Sequence, residues 1–310
     1  MNAKTGKRKN NRIRLTGWDY AFHSVNYFLY FVFTLLCLYP FYYIIINSLS
    51  DGTMVDLGRV LWYPVGFTLS NYRKMLALSN IYTSAVVSVL RTVIGTVCGV
   101  FATAYAAYFF SKPNMWRHKL WYRLVIITMY FSAGLIPGYM NIRSLGLLDS
   151  FAVYIIPGLI SVYNMVLIKT YFESIPAALE ESAQIDGAGV LRRFFWVALP
   201  LSVPILATIT LFTAVGQWNS FTDTLLYITN GKLYTLQYIL QMYFRQADIL
   251  SKQLANGVMD SSIVENMVGS ISTASIRLTI TVIVTFPIMC VYPFVQRYFL
   301  KGIMIGAVKG

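Results

Sequence analysis

Charge is scarce in this chain, and so are the residues that usually carry enzyme chemistry. Only 12% of its 310 residues are Asp, Glu, Lys or Arg, where a soluble domain carries about a quarter. The two histidines, His23 and His118, stand far apart, each beside an apolar stretch. There is no H-E-x-x-H pair and no evident nucleophile–base set, so a membrane enzyme has little to work with. A G-x-x-x-x-G-K-[ST] phosphate loop is missing too. Any ATP used alongside this chain must be hydrolysed by another polypeptide. Cys37, Cys98 and Cys290 sit singly in apolar segments. They read as small hydrophobes, neither a metal site nor a disulfide framework. No cofactor is expected.

What the chain has instead is apolar length. Hydrophobic residues make up 57% of it, and a bilayer is the natural solvent for so much apolar surface. Crossing the hydrocarbon core takes about 20 apolar residues as a helix. Six segments qualify, at 25–47, 84–110, 120–140, 151–171, 200–222 and 271–294. The expected class is therefore an all-α membrane protein with six transmembrane helices. The first apolar stretch is too long for a signal-peptide core and is expected to be retained.

Charge placement orients the spans. The first fourteen residues carry Lys4, Lys7, Arg8, Lys9, Arg12 and Arg14 and no acid. Further basic residues, including Lys112, Arg117, Lys119, Lys169, Arg192, Arg193, Arg297, Lys301 and Lys309, fall on the same side as that tail. Asp51, Asp56, Asp149, Asp223, Asp248, Asp260 and Glu265 fall on the other. The basic bias puts both termini in the cytoplasm. It also explains the net charge of +13 without nucleic acid, for which no groove-reading motif is present. The expected layout is a basic tail at 1–24, a six-span domain at 25–296 and a cytoplasmic tail at 297–310. Long external connections are expected at 48–83 and 223–270, the second with an amphipathic helix from Leu236 to Phe244. Prolines inside spans (Pro40, Pro137, Pro157, Pro204, Pro287 and Pro293) are expected to kink them, since neighbouring helices and water satisfy the freed carbonyls.

The cytoplasmic stretch 173–199 carries the most information. Ser174 is placed to cap a helix, and Pro176 is tolerated in a first turn. Glu180 and Glu181 come early enough to be favoured by the helix dipole. Gly187 is suited to the left-handed conformation that ends a helix. A second helix is expected through Arg192, Phe194 and Phe195 to Leu199-Pro200. Small residues Ala177, Ala178, Ser182 and Ala183 allow close approach. A helix–turn–helix of this kind is shaped for docking.

At this point the residues resemble a known family. Glu181-Ser182-Ala183, then Gly187, with Leu199-Pro200 downstream, resembles the E-A-A-x-x-x-G…L-P loop of permeases in binding-protein-dependent ABC importers. Ser182 stands where alanine is usual, and is also small. The Leu145-Gly-Leu-Leu-Asp149 turn and the closing stretch 296–310 are similar to the carbohydrate branch, above all to permeases for polysaccharide fragments. The resemblance implies a type I importer permease in a bacterial cytoplasmic membrane. It implies pairing with a related but different permease, two cytoplasmic ATPase subunits and an external sugar-binding protein. Glu180, Glu181, Ser182, Ala183, Asp186, Gly187 and Ala188 would couple to the ATPase, whose closure would turn the spans from inward- to outward-facing.

Residues of the path are sought among polar groups within spans. Arg91 lies at depth, where a charge costs roughly 2.5–3.5 kcal/mol and usually faces the bundle interior. The readings open are that it meets anionic sugars such as uronates, or that it pairs with a neighbouring helix or snorkels outward. Asn164, Gln217, Trp218 and Asn219 suit hydroxyl recognition and ring stacking. They equally suit interhelical bonding or an interfacial belt. An ion-coupled transporter would need paired ionisable groups near the midplane, and no acid is found in the inner parts of the spans.

Overall fold

The computed structural model describes residues 16–77, 79–113, 115–255 and 274–290. Among them the structure is helical and has no strands. The basic N-terminal run, the end of the 223–270 connection with Asp260 and Glu265, both ends of the sixth segment and the whole closing tail at 297–310 lie outside the described residues.

Helix α1 (Gly17–Ser48) stands almost alone. Phe28, Phe31, Phe33 and Leu36 are all exposed, and burial begins only at Ile46. So continuous an apolar surface suits lipid or another helix better than water. Pro40 lies inside α1 without ending it. Two short helices follow, α2 (Gly52–Asp56) and α3 (Ser70–Leu76). The long α4 (Ser79–Ser111) is the centre of the bundle.

Next come α5 (His118–Tyr130) and α6 (Leu135–Ser144). The segment expected as one span at 120–140 is broken between them by a bend of 116°. Gly134 sits at the break with φ +87° and ψ −179°, a region open essentially to glycine alone. The segment at 151–171 also departs from a single span. It begins as a 3-10 turn (Phe151–Tyr154), runs irregularly past Pro157-Gly158, and is helical only in α7 (Val162–Glu173).

The docking segment forms α8 (Ala177–Ile185), α9 (Val190–Arg193), a π-helical turn (Phe194–Ala198) and α10 (Leu199–Leu201). Then α11 (Val203–Asn219) leaves at 85°. Two prolines account for this corner. Pro200 and Pro204 have no N–H to donate, and the Pro204 ring would collide with the carbonyl four residues back if the helix ran straight. On the far side lie α12 (Thr222–Tyr227), a 3-10 turn (Gly231–Leu233) and α13 (Leu236–Ala255). The amphipathic helix expected to end at Phe244 thus continues to Ala255. The last described element is α14 (Ala274–Cys290).

By length and composition, two helices among the described residues suffice to cross a membrane, or up to four if each bent pair is one span. The core forms where α4, α7 and α11 meet. Ala104 and Ala107 of α4 are fully buried and let Met165, Ile168, Phe172 and Ile209 close in around them, as small residues do between membrane helices. Phe194, at the start of the π turn, is wedged among Phe101, Tyr105 and Tyr108, with ring centroids 5.2–6.0 Å apart. That wedge fastens the docking segment to α4.

Candidate functional site

The docking segment lies at one end of α4. Ser174 does not cap α8; it closes α7, its Oγ donating to the carbonyl of Tyr171 at 2.7 Å. Pro176 takes the N-cap position of α8 instead. Nine residues on, at Ile185, the helix ends in a defined way. The Gly187 N–H donates to the Gln184 carbonyl (3.0 Å) and the Ala188 N–H to the Ala183 carbonyl (2.9 Å). Gly187 has φ +80°. This is a Schellman turn, and it requires a residue content with left-handed backbone at that spacing. The Ala183-x-x-x-Gly187 spacing is therefore a folding instruction before it is anything else.

Glu181, Ser182, Asp186 and Gly187 are exposed, with Ala183 and Ala188 half-buried beneath them. Ile185 is 87% exposed. Glu180 differs from its neighbour. Its carboxylate turns inward, pairs with Lys112 just past the end of α4, and accepts from the Tyr108 hydroxyl at 3.5 Å. Arg193 Nη1 donates to Gln184 Oε1 at 2.9 Å and so ties α9 back to α8. Lys169, expected on the cytoplasmic side, is buried. It pairs with Glu173 at 2.6 Å and lies over the Tyr122 ring.

Towards the other end of α4 is a cavity of about 350 Å³. Arg91, Asn164 and Gln217 line it, as do Asp223, Thr103 and Ser161. Trp218 and Asn219 do not. The Trp218 indole donates to the Val284 carbonyl at 3.1 Å and packs with α13 and α14, and Asn219 is exposed. Irregular backbone at Pro157 and Gly158 forms one wall; within a membrane such backbone is tolerated where it is buried in protein or lines a watered cavity. Gly95 brings the opposite wall close, since a Cβ there would meet the Gln217 amide at 2.9 Å.

Each nitrogen of the Arg91 guanidinium has a partner. Nε donates to Gln217 Oε1 (3.0 Å), Nη1 to the Ser220 carbonyl (3.0 Å) and Nη2 to Asp223 Oδ2. Its face lies 4.5 Å from the centre of the Tyr154 ring. Arg91 thus pairs with Asp223 of a neighbouring element while its side chain lines the cavity. The sequence reading missed Asp223 as the partner because it fell at the start of an external connection. The usable signal was Arg91 itself: a lone deep cation needs a counter-charge, and Asp223 is the acid just beyond Gln217-Trp218-Asn219.

The turn at 145–149 is also built. Gly146 and Asp149 have φ +67° and +53°. The Asp149 carboxylate accepts from the Thr229 N–H and hydroxyl (each 2.5 Å) and the Asn230 N–H (2.9 Å). Those hydrogen bonds hold its carboxyl below the usual aspartate value of 3.8.

Residues 95–305 match the family described as binding-protein-dependent transport system inner membrane component. The chain belongs to this family. The permease is 37% identical over 282 residues to the polygalacturonan/rhamnogalacturonan transport system permease protein YtcP of Bacillus subtilis, covering 90% of this chain and 95% of that one. It is 39% identical over 275 residues to Protein LplC of the same organism, covering 89% and 90%. It also resembles a chain in the crystal structure of a bacterial ABC transporter involved in the import of the acidic polysaccharide alginate. There the identity is 33% and the TM-score 0.79, over 92% of this chain and 99% of that one. As a permease of this family it is an inner-membrane transport component and works with a separate ATPase and a substrate-binding protein.

Proposed function

We propose that this permease forms half of the translocation path of an importer for sugar oligomers, with six spans and both termini in the cytoplasm of a bacterium. A related but different permease supplies the other half, two ATPase subunits receive the two docking segments, and an external binding protein delivers the sugar. The observation that carries this reading is the exposed Glu181–Gly187 turn, fixed in shape by its Schellman closure, at the end of α4 remote from the polar cavity. A rigid, exposed turn suits transmission of a push. A cavity lined by hydroxyl and amide groups suits sugar hydroxyls. Relatives named for polygalacturonan, rhamnogalacturonan and alginate favour an oligosaccharide. In this reading Asn164 and Gln217 meet the sugar. Arg91 shapes the wall, because its charge is already answered by Asp223.

The test is Gly187→Asp in the complex reconstituted with its ATPase and binding protein. Aspartate visits left-handed backbone more readily than most residues, but a Cβ at φ +80° is still strained, and the new carboxylate adds a charge to the exposed turn. Membrane insertion is expected to survive while stimulation of ATP hydrolysis by the loaded binding protein is lost. Wild-type stimulation in the variant would sink the assignment.

A further inference from the structure

The two adjacent glutamates of α8 face different ways, and one of them does not face outward at all. Glu181 is exposed, whereas the Glu180 side chain retains only 16% of its exposure. Its carboxylate is held by Lys112, and the Lys112 ammonium lies 4.2 Å from the centre of the Tyr108 ring. Tyr108 is itself buried in the core of α4, α7 and the π turn. Carboxylate, ammonium and ring therefore link the docking helix to the end of the central helix. Tyr108 is roughly 25 Å along the α4 axis from Arg91, and Arg91 holds the cavity wall.

We propose that Glu180 and Lys112 are a positioning pair that tethers the docking helix to α4, so that displacement of α8 is delivered to the helix that carries the cavity wall. Glu180 then works inside this chain, and Glu181 is left to face the ATPase. The inference rests on the docking reading above. Two features favour a tether over an incidental surface pair. The pair is half-sheltered, with side-chain exposures of 30% and 16%, so solvent screens it less than an open pair. It also joins separate elements, whereas the nearby Lys169–Glu173 pair lies within one helix. Without Glu180–Lys112, α8 would hang on the Arg193–Gln184 hydrogen bond, on the Phe194 wedge beyond the turn and on the chain itself. A push on α8 would then be absorbed in the exposed turn.

The test is an exchange cycle in the full complex, co-expressed with its ATPase and binding protein and placed in proteoliposomes. The proteins are wild type, Lys112→Glu, Glu180→Lys and the double exchange, with Glu180→Gln as a shape-conserving control. Both single exchanges are expected to keep the ATPase subunit through purification. Stimulation of ATP hydrolysis by the co-purified, loaded binding protein should fall about fivefold in each, the effect of losing a pair of this exposure. The double exchange should return stimulation to within about twofold of wild type, and Glu180→Gln should fold normally yet lose stimulation. A merely structural pair would move thermal stability without this pattern. Wild-type stimulation in both single exchanges overturns the tether, as does a double exchange no better than the worse single. Loss of the ATPase subunit in Glu180→Lys but not in Lys112→Glu also overturns it, because Glu180 would then face the ATPase. The docking reading fails separately: normal stimulation in Gly187→Asp removes it, whatever the exchange cycle gives.

Discussion

Two places along α4, Arg91 in its first half and Lys112 just past its end, carry a cation answered by a carboxylate from a distant element, but the surroundings differ. The Arg91 side chain keeps 3% of its exposure, and every guanidinium nitrogen has a partner. The Lys112 side chain keeps 30% and is held by one carboxylate and one ring face. A planar, five-donor guanidinium locks geometry, whereas an ammonium on a flexible stem tolerates movement. The difference teaches where the bundle is rigid and where it is free to move. The cavity wall is clamped. The docking end is tied by a contact that can swing without breaking.

The sharpest way to break the comparison is to remove each cation in turn. Arg91→Met leaves Asp223 without its counter-charge beside a buried wall, with the Ser220 hydroxyl still donating to it at 3.0 Å. Breaking such a pair from one side costs about 3 kcal/mol, with Asp223 at 35% side-chain exposure keeping the effect near the lower end. A clear fall in the unfolding temperature of the purified permease is expected, together with a collapsed cavity and lost transport. Arg91→Met with Asp223→Leu should recover most of the stability, because an apolar replacement of both partners is often neutral. If Arg91→Met unfolds like wild type, the clamp is not a clamp. Lys112→Gln is the counterpart. Its pair is part-exposed and is worth at most about 1 kcal/mol. The unfolding temperature should barely move while stimulated ATP hydrolysis falls. A thermal shift as large as that of Arg91→Met would erase the distinction between the two places.

Composition made the membrane class legible, because nothing else dissolves 57% hydrophobic residues with so little charge. The docking turn was legible in finer detail. Gly187 takes the left-handed backbone the sequence asked of it, since a Schellman closure is a local event and local rules decide it. Segments 120–140 and 151–171 were legible only in hydropathy. Apolar length says that a stretch can sit in lipid, but Gly134 and the Pro157-Gly158 pair decide whether it does so straight. The ion pairs were least legible. Arg91 and Asp223 are 132 residues apart, and Lys112 and Glu180 are 68 apart, so no spacing rule connects them. Only packing does. Trp218 shows the converse: a residue suited by type to stack on sugar is used to fix α11 against α14.

The smallest expected effect tests whether the turn at 145–149 is held as the cavity wall is, by satisfied polar groups. Asp149 is exposed, yet its carboxylate gathers three donors from Thr229 and Asn230. Those bonds favour the charged form and lower its pKa from 3.8. A group whose pKa is depressed on folding contributes stability that is present above the unfolded value and lost as pH falls through the folded one. The contribution should therefore be complete at neutral pH and decline below about pH 4. Asp149→Asn isolates the charge, because asparagine tolerates a φ of +53° as well as aspartate does. The variant should unfold slightly below wild type at pH 7, and the gap should close on acidification towards pH 3. A gap independent of pH would mean that the turn is held by backbone geometry, with the carboxylate charge playing no part.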